Sequence, residues 1–507
     1  MRFYRILLFF CLFTFLSRGL LYPQEKAFEK YNVMLVFIDT LRADRLGCYG
    51  YYGGTSPNID KLAGESAVFE KNFTPATYTL PSFMSIITSL YPGSHGVLEV
   101  FKDKLSPRVE TLAEILKVYG YKTAWFGPLD DPQLDPDAGF GRGFDDVEDS
   151  GNDHILDEAR EKLCEWLDKN RNRKFFLNFH TYKVHAPYLP QPKYKAKFTK
   201  IKMIEGIIED KNKFKYDFFH NVLKKRKLAA NLMGRELFDK FVAAGMPGKD
   251  DASIENFFIS RGEEGRMSSI RETVYWMGVN FNDKEASAYI QALYAADILE
   301  YDQEVIGPVI KKLKELGIYN KTLIIICSDH GEEFYEHGGF GHGTTFYDEV
   351  TRVPLIVRVP WVKGGKRGKE FTQTVDIMPT ILDLLEIPVP HQAQGKSLAG
   401  FIDGNKPLPP REYVFGRMPV LSSIRSENWL FVLYDGDIPN QKYLYDLVSD
   451  PGEEKDVYYK DKKTALGLES RMKEWERSLP SYRDREYSFP PGIDRKMREK
   501  IRKTGYW

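Results

Sequence analysis

The sequence predicts an α/β fold: a doubly wound, mostly parallel sheet, followed by a small C-terminal α+β subdomain. Two observations carry that expectation. Short, almost wholly apolar runs recur and end in a polar or acidic residue, as strands buried on both faces do when they present chemistry at their carboxyl ends. Segments with helical periodicity separate these runs, and alternating strands and helices build a parallel sheet.

In chain order, the first run is Asn32–Ile38 (NVMLVFI), which ends at Asp39. Thr111–Val118 reads as a helix and Tyr121–Phe126 as the next strand. A helix over Asp157–Asp168 leads to the strand Phe175–Phe179, which ends at His180. The periodicity of Ala288–Leu316 predicts a long helix before Thr322–Ser328 (TLIIICS), a strand ending at Asp329 and His330. Leu355–Val359 is a further strand and Val375–Leu385 a further helix, so one large domain is expected over 30–390. Ligands of such sheets bind beyond the carboxyl ends of the strands. Chemistry is therefore expected where Asp39, Asp329 and His330 emerge.

Two regions stand apart. Residues 195–284 are rich in Lys and Phe and read as a helical lid inserted into the domain. Pro388, Pro390 and then Pro407, Pro409 and Pro410 set off a smaller unit over 391–507. Within it, Trp429–Tyr434 and Lys442–Leu447 read as antiparallel strands and Thr464–Leu479 as an amphipathic helix.

Composition excludes several classes. The 507 residues carry 72 Lys and Arg against 72 Asp and Glu, which removes the electrostatic footprint of a nucleic-acid binder. With 42% hydrophobic and 28% charged residues the chain is neither disordered nor a multi-span membrane protein. Four cysteines cannot staple a chain of this size, and Cys48, Cys164 and Cys327 are expected as unpaired, buried thiols. At the N-terminus, Arg2 and Arg5 precede the apolar run Ile6–Leu16. That run is shorter than the roughly 20 residues a membrane span needs and matches a secretory signal core. Residues 1–22 are therefore expected to be a signal peptide or an uncleaved anchor. The body of the protein is expected to be exported, periplasmic or extracellular, with membrane contact through the N-terminus in the anchored case.

Five of the nine histidines fall in two short segments, His180/His185 and His330/His337/His342. His95, in PGSHGV, reads as structural. Asp39, Asp329 and His330 are hard or borderline ligands suited to one divalent cation. Such an ion lowers the pKa of a nearby hydroxyl and neutralises charge on an ester.

Several long blocks resemble the sulfatase family, within the alkaline phosphatase superfamily. They are NVMLVFIDTLRADRLGCYGYYGGTSPNIDKLAGESAVFEKNF, TLPSFMSIITSLYPGSHGV, FFLNFHTYKVHAPYLP, LIIICSDHGEEFYEHGGFGHGTTFYDEVTRVPLIV and TVDIMPTILDLLEIPVP. KYLYDLVSDPGEEKDV resembles the family's C-terminal hairpin. The resemblance implies that Asp39 is the first metal aspartate and Asp329 the later one. His330 stands where many sulfatases have Asn and phosphoryl-transferring relatives have His. His185 matches a histidine that binds the substrate anion, and His342 falls where sulfatases place a lysine. His180 and His337 are further substrate-side candidates.

The departures are as informative. The family's nucleophile motif is Cys-x-Pro-Ser-Arg, whose Cys or Ser becomes formylglycine; here it reads Thr79-Leu80-Pro81-Ser82-Phe83. No formylglycine is expected. Thr40 replaces a second metal aspartate, and Gly127-Pro128-Leu129-Asp130 stands near the family's Lys-Trp-His. A hydrated aldehyde expels sulfate by elimination through its second hydroxyl, which threonine lacks. A phosphorylated threonine is instead resolved by water or an acceptor alcohol. The expectation is a metal-dependent hydrolase or transferase of anionic, sulfate- or phosphate-type esters, with phosphoryl chemistry favoured. Thr79 is the metal-activated nucleophile, and Asp39, Thr79, Asp329 and His330 hold one cation (Ca, Mg, Mn or Zn). His185 and His342 are catalytic or substrate-binding, and an envelope glycan or lipid head group fits as the ester's carrier. Two competing readings are a true sulfatase using Thr79 and an inactive, sulfatase-like binding protein.

Overall fold

The computed structural model describes residues 30–99, 102–129, 134, 138–149, 156–186, 188–199, 284–435 and 441–482. The expected signal or anchor, residues 1–22, lies outside the described residues, as does nearly all of the expected lid. No helix among the described residues is long and apolar enough to cross a membrane.

The main sheet has eight strands. They are β1 (Asn32–Ile38), β2 (Ala67–Phe73), β3 (Lys122–Gly127), β4 (Asp146–Asp149), β5 (Phe175–Thr181), β6 (Thr322–Cys327), β9 (Leu355–Arg358) and β10 (Lys366–Gln373). The intervening β7 (Glu333–Phe334) and β8 (Phe340–Gly341) form a separate two-stranded ribbon. The order is β10-β2-β9-β6-β1-β5-β3-β4. Every residue of β1, β5 and β6 is buried. Val33, Leu35 and Phe37 face one core and Met34, Val36 and Ile38 the other, because side chains alternate across a strand covered by helices on both faces. That is why these strands read as unbroken apolar runs.

All neighbours pair in parallel except β9, which runs antiparallel to both β2 and β6. The chain between β6 and β9 stays on the carboxyl edge of the sheet and re-enters from it, so β9 must run backwards; a parallel return needs a crossover. Three strands have no apolar run to announce them. β2 carries Glu70 and Lys71, and β4 (DVED) and β10 (KRGKEFTQ) are the two edges of the sheet. The segment read as one helix over Ala288–Leu316 is interrupted. Helix Lys284–Tyr301 passes into a π turn, Asp302–Ile306, before helix Gly307–Glu315. At that turn the buried Asp302 carboxylate accepts from the amides of Asn58 and Ile59, at 3.0 and 2.8 Å, at the start of helix Pro57–Gly64.

The C-terminal sheet is antiparallel, β11 (Val414–Arg417), β12 (Leu421–Arg425), β13 (Trp429–Tyr434) and β14 (Gln441–Asp446). Leu421, Leu430 and Val432 pack on Ala76 and Phe346 of the large domain. Ile424, Phe431 and Leu444 receive Ala465, Leu468 and Met472 of helix Lys462–Ser478. A buried ion pair ties this region down: both Arg411 nitrogens donate to Asp376 at 2.7 Å. Removing one partner of a buried pair strands the other charge, so Arg411→Ala should cost about 3–5 kcal/mol. Chemical denaturation measures this, and a loss below about 1 kcal/mol would show the pair to be dispensable.

Candidate active site

β1 ends at Ile38, and the next residue, Asp39, is held at the sheet edge by its amide donating to the Thr181 carbonyl at 3.2 Å. Register places Phe37 opposite both His180 on β5 and Cys327 on β6. Asp39 therefore emerges between the ends of those two strands, beside Asp329 and His330. Thr40 sits at φ +54°; its amide donates to Asp329 Oδ1 at 3.3 Å and its hydroxyl to the Val184 carbonyl at 2.7 Å. Its hydroxyl thus ties the His185 loop to β1. Ser328 Oγ accepts from the Leu41 amide and donates to the His330 carbonyl, at 3.0 and 2.7 Å. Gly331 passes so close to this frame that a Cβ there would lie 1.9 Å from the Glu349 carbonyl oxygen.

Thr79 opens the helix Thr79–Thr88 and is buried. Its hydroxyl lies 3.2 Å from Asp39 Oδ2 and 3.5 Å from His330 Nε2. His330 Nε2 is 3.2 Å from Asp329 Oδ2 and 3.7 Å from Asp39 Oδ1. Those two carboxylate oxygens are buried and have no hydrogen-bond partner among the described residues. His330 Nδ1 lies 2.9 Å from the Gly331 carbonyl, which places the ring proton there and leaves Nε2 as a ligand atom. Buried oxygens without donors, beside a free imidazole nitrogen, suit a cation. The candidate ligand atoms of Asp39, Asp329 and His330 all lie within 4.8 Å of one another.

The electrostatics agree. Burial, and then the neighbouring Asp329, push Asp39 up to about 8. Burial opposes charge on His330, but Asp329 beside it outweighs that and raises it to about 9. Against its own burial, Asp329 is held well below the usual carboxylate range by His330. At neutral pH and without a cation, the cluster therefore keeps two protons, on Asp39 and His330. Those two positive charges offset buried carboxylates as a divalent ion would.

Phe83, which replaces the family's arginine, supplies no charge. It is buried and stacks on Phe140 at 4.9 Å and on His180 at 6.1 Å. His180 is fully buried with Nε2 3.5 Å from Asp39 Oδ2, so it reaches the cluster from within the protein interior. His342 stacks near His330, with ring centroids 4.2 Å apart, and its ring lies 5.1 Å from that of His185. Burial, then His330, push His342 down to about 4. Glu332 accepts from His342 Nδ1 at 2.8 Å and from the Tyr188 hydroxyl at 2.7 Å. Sequence reasoning missed Glu332 and Tyr188; the only available signal was an acid two residues beyond His330.

His337 does not join this group. Its Nε2 is 3.4 Å from Glu349, its ring stacks on Tyr347 at 3.6 Å, and with Glu349 and Glu453 it forms a second cluster. His95 is buried, with Nε2 3.2 Å from Ser85 Oγ and Nδ1 accepting from the Val97 amide at 3.0 Å. Cys48, Cys164 and Cys327 are unpaired; the first two are half-buried rather than buried.

The Sulfatase family model matches residues 31–387, and the model for the N-sulphoglucosamine sulphohydrolase C-terminal region matches residues 335–478. The chain is 24% identical over 509 residues to an N-acetylglucosamine-6-O-sulfatase of Bacteroides thetaiotaomicron, covering 86% of this chain and 84% of that one. It is 25% identical over 480 residues to a Delta 4,5-hexuronate-2-O-sulfatase of the same organism, covering 88% of each. Two solved structures share the fold. One, bound to its substrate D-glucosamine-2-N,6-O-disulfate, superposes with a TM-score of 0.68 at 21% identity, over 88% of this chain and 98% of that one. The phosphonate monoester hydrolase of Agrobacterium radiobacter superposes with a TM-score of 0.66 at 21% identity, over 89% of this chain and 96% of that one. The family match spans well over half of the chain, and the mostly parallel sheet with its small antiparallel companion is the architecture of those solved structures. The chain belongs to the sulfatase family of ester hydrolases.

Proposed function

We propose that this protein is an exported, metal-dependent hydrolase or transferase of anionic esters in which Thr79 is the nucleophile and the transferred group is of the phosphoryl type. One observation carries the reading: the Thr79 hydroxyl touches Asp39 and His330 beside two buried carboxylate oxygens that lack donors. Asp39, Asp329, His330 and Thr79 would hold one divalent cation. When bound, it supplies charge neutralisation at the ester and an increased acidity of the Thr79 hydroxyl.

The chain's own groups do the rest. Thr79 Oγ1 points at Asp39 Oδ2, so its proton leaves toward that carboxylate as the oxygen attacks. The start of helix Thr79–Thr88 faces the developing negative charge. His185 and His342 bind the ester's oxygens and handle the proton of the leaving or incoming group. Threonine has one hydroxyl, so its ester is released by attack of water or an acceptor alcohol, a step suited to phosphorus. Phe83 supports this reading, since it leaves the nucleophile without the family's guanidinium.

A sulfate ester is the second reading, and the names of relatives favour it: the two described above are sulfatases of sugars. An anionic ester on a glycan is accordingly the substrate class to test first, with lipid head groups beside it. Purified protein loaded with Mg, Mn, Ca or Zn should turn over a phosphodiester or phosphate monoester faster than an aryl sulfate. If aryl sulfate is the best substrate and Thr79→Ala keeps its activity, the phosphoryl reading fails. If no ester turns over with any metal, the reading as an inactive, sulfatase-like binding protein gains.

A further inference from the structure

His342 lies just beyond β8, in a loop whose backbone does little to fix its ring. The loop that carries it leaves the two-residue strand β8, and it is flanked by Gly341 and Gly343, both in left-handed conformations at φ +94° and +88°. Such a segment has no ladder or helix to fix a side chain. Its ring is instead held from beneath by one carboxylate.

Glu332 is buried at 1% exposure, and both of its oxygens are engaged. Oε1 accepts from His342 Nδ1 at 2.8 Å, and Oε2 accepts from the Tyr188 hydroxyl at 2.7 Å. Tyr188 is itself fully buried, with its ring centroid 5.3 Å from Tyr294 and 5.8 Å from Phe334. A carboxylate that accepts at Nδ1 places the neutral ring's proton there and its lone pair at Nε2. Among the described residues His342 Nε2 makes no hydrogen bond, and the side chain retains 17% exposure.

We propose that Glu332, braced by Tyr188, is a positioning residue that fixes the ring and tautomer of His342, so that Nε2 receives the proton of the water or acceptor hydroxyl resolving the Thr79 ester. The inference rests on the reading of Thr79 as nucleophile. In that step the incoming oxygen bonds to phosphorus and its proton passes to Nε2. The phosphorus–oxygen bond to Thr79 breaks, and Thr79 recovers the proton left with Asp39. Glu332 stays ionised throughout and stabilises the imidazolium, which later returns its proton to solvent.

The test is rapid mixing of the full-length, metal-loaded protein with bis(4-nitrophenyl) phosphate. Glu332→Gln should release the first equivalent of nitrophenol at the wild-type rate, then turn over about 10- to 100-fold more slowly. Phosphorus should accumulate covalently on Thr79, read by mass spectrometry. Adding Glu332→Gln to His342→Ala should cause no further loss, because the carboxylate acts only through that ring. A first turnover that slows together with the steady state, or losses that add in the double variant, would overturn the assignment. If Glu332→Gln does not fold, Tyr188→Phe should show the same split at smaller size, and a uniform fall overturns the proposal equally. Failure of the underlying reading looks different: Thr79→Ala keeps wild-type turnover, or no ester is turned over at all.

Discussion

Thr79→Ala lowers kcat/KM by at least about 10³-fold, because it removes the attacking oxygen itself. Little else should change. The residue before the helix makes no side-chain cap, and Thr79 contributes none, so the helix keeps its start. Among the described residues the hydroxyl's hydrogen-bond partners are Asp39 and His330 of the acid–histidine cluster, and its loss should leave the melting temperature within a few degrees of wild type. Thr79→Ser keeps the oxygen and should retain activity within about tenfold, the difference reflecting the extra freedom of an unbranched side chain. Steady-state kinetics beside thermal unfolding check both variants. Full activity in Thr79→Ala would remove the nucleophile from the mechanism.

The second large effect is the dependence of stability on pH and cation. Without a cation, Asp39 holds its proton to about 8 in the folded chain, whereas an ordinary exposed aspartate loses it near 3.8. The folded state then binds more protons, so stability falls as pH rises from about 4 to about 8. His330, raised from 6.5 to about 9, acts in the same direction between those values. Asp329 acts oppositely, since its folded pKa is lowered, and its contribution is lost only as pH falls below the ordinary carboxylate range. From about pH 6.5 to about 9 the cation-free protein should therefore lose thermal stability steadily.

A divalent ion takes the place of those protons and releases them on binding. Its stabilising effect should be small near pH 6 and largest near pH 9, measured as the difference in melting temperature with and without chelator. Asp39→Asn should flatten the pH dependence and weaken cation binding by about 100-fold or more, as titration calorimetry would show. A cation shift that does not grow with pH would mean that the ion binds somewhere else.

Much of the active-site frame is visible in the order of residues. A parallel strand buried on both faces must be apolar along its whole length, so β1, β5 and β6 are conspicuous, and the residues at or just beyond their carboxyl ends lie at the ligand-binding edge. That argument alone brings Asp39, His180, Asp329 and His330 to one place. The strands it misses fail for a physical reason. β2, β4 and β10 lie at or next to the sheet's edges, where Glu70, Lys71, Glu148 and Lys369 reach water, so their composition resembles that of a loop. The antiparallel direction of β9 depends on which edge the preceding loop occupies, and no local pattern encodes that.

Residue identity on its own determined which chemistry is available: two acids and a histidine at strand ends, a threonine where the family places a formylglycine precursor, and a phenylalanine in place of its arginine. Tertiary structure decided which of these groups meet. Thr79 lies 40 residues from Asp39 and 251 from His330, and Glu332 reaches Tyr188 across 144. Contacts of that span follow from the order and register of strands in the sheet, which side-chain periodicity leaves open. The same physics separates His337 from His342. Five positions apart in a short loop, one turns toward Glu349 and Tyr347 and the other onto Glu332 beside His330. Only the packed neighbours on each side of that loop could choose between them.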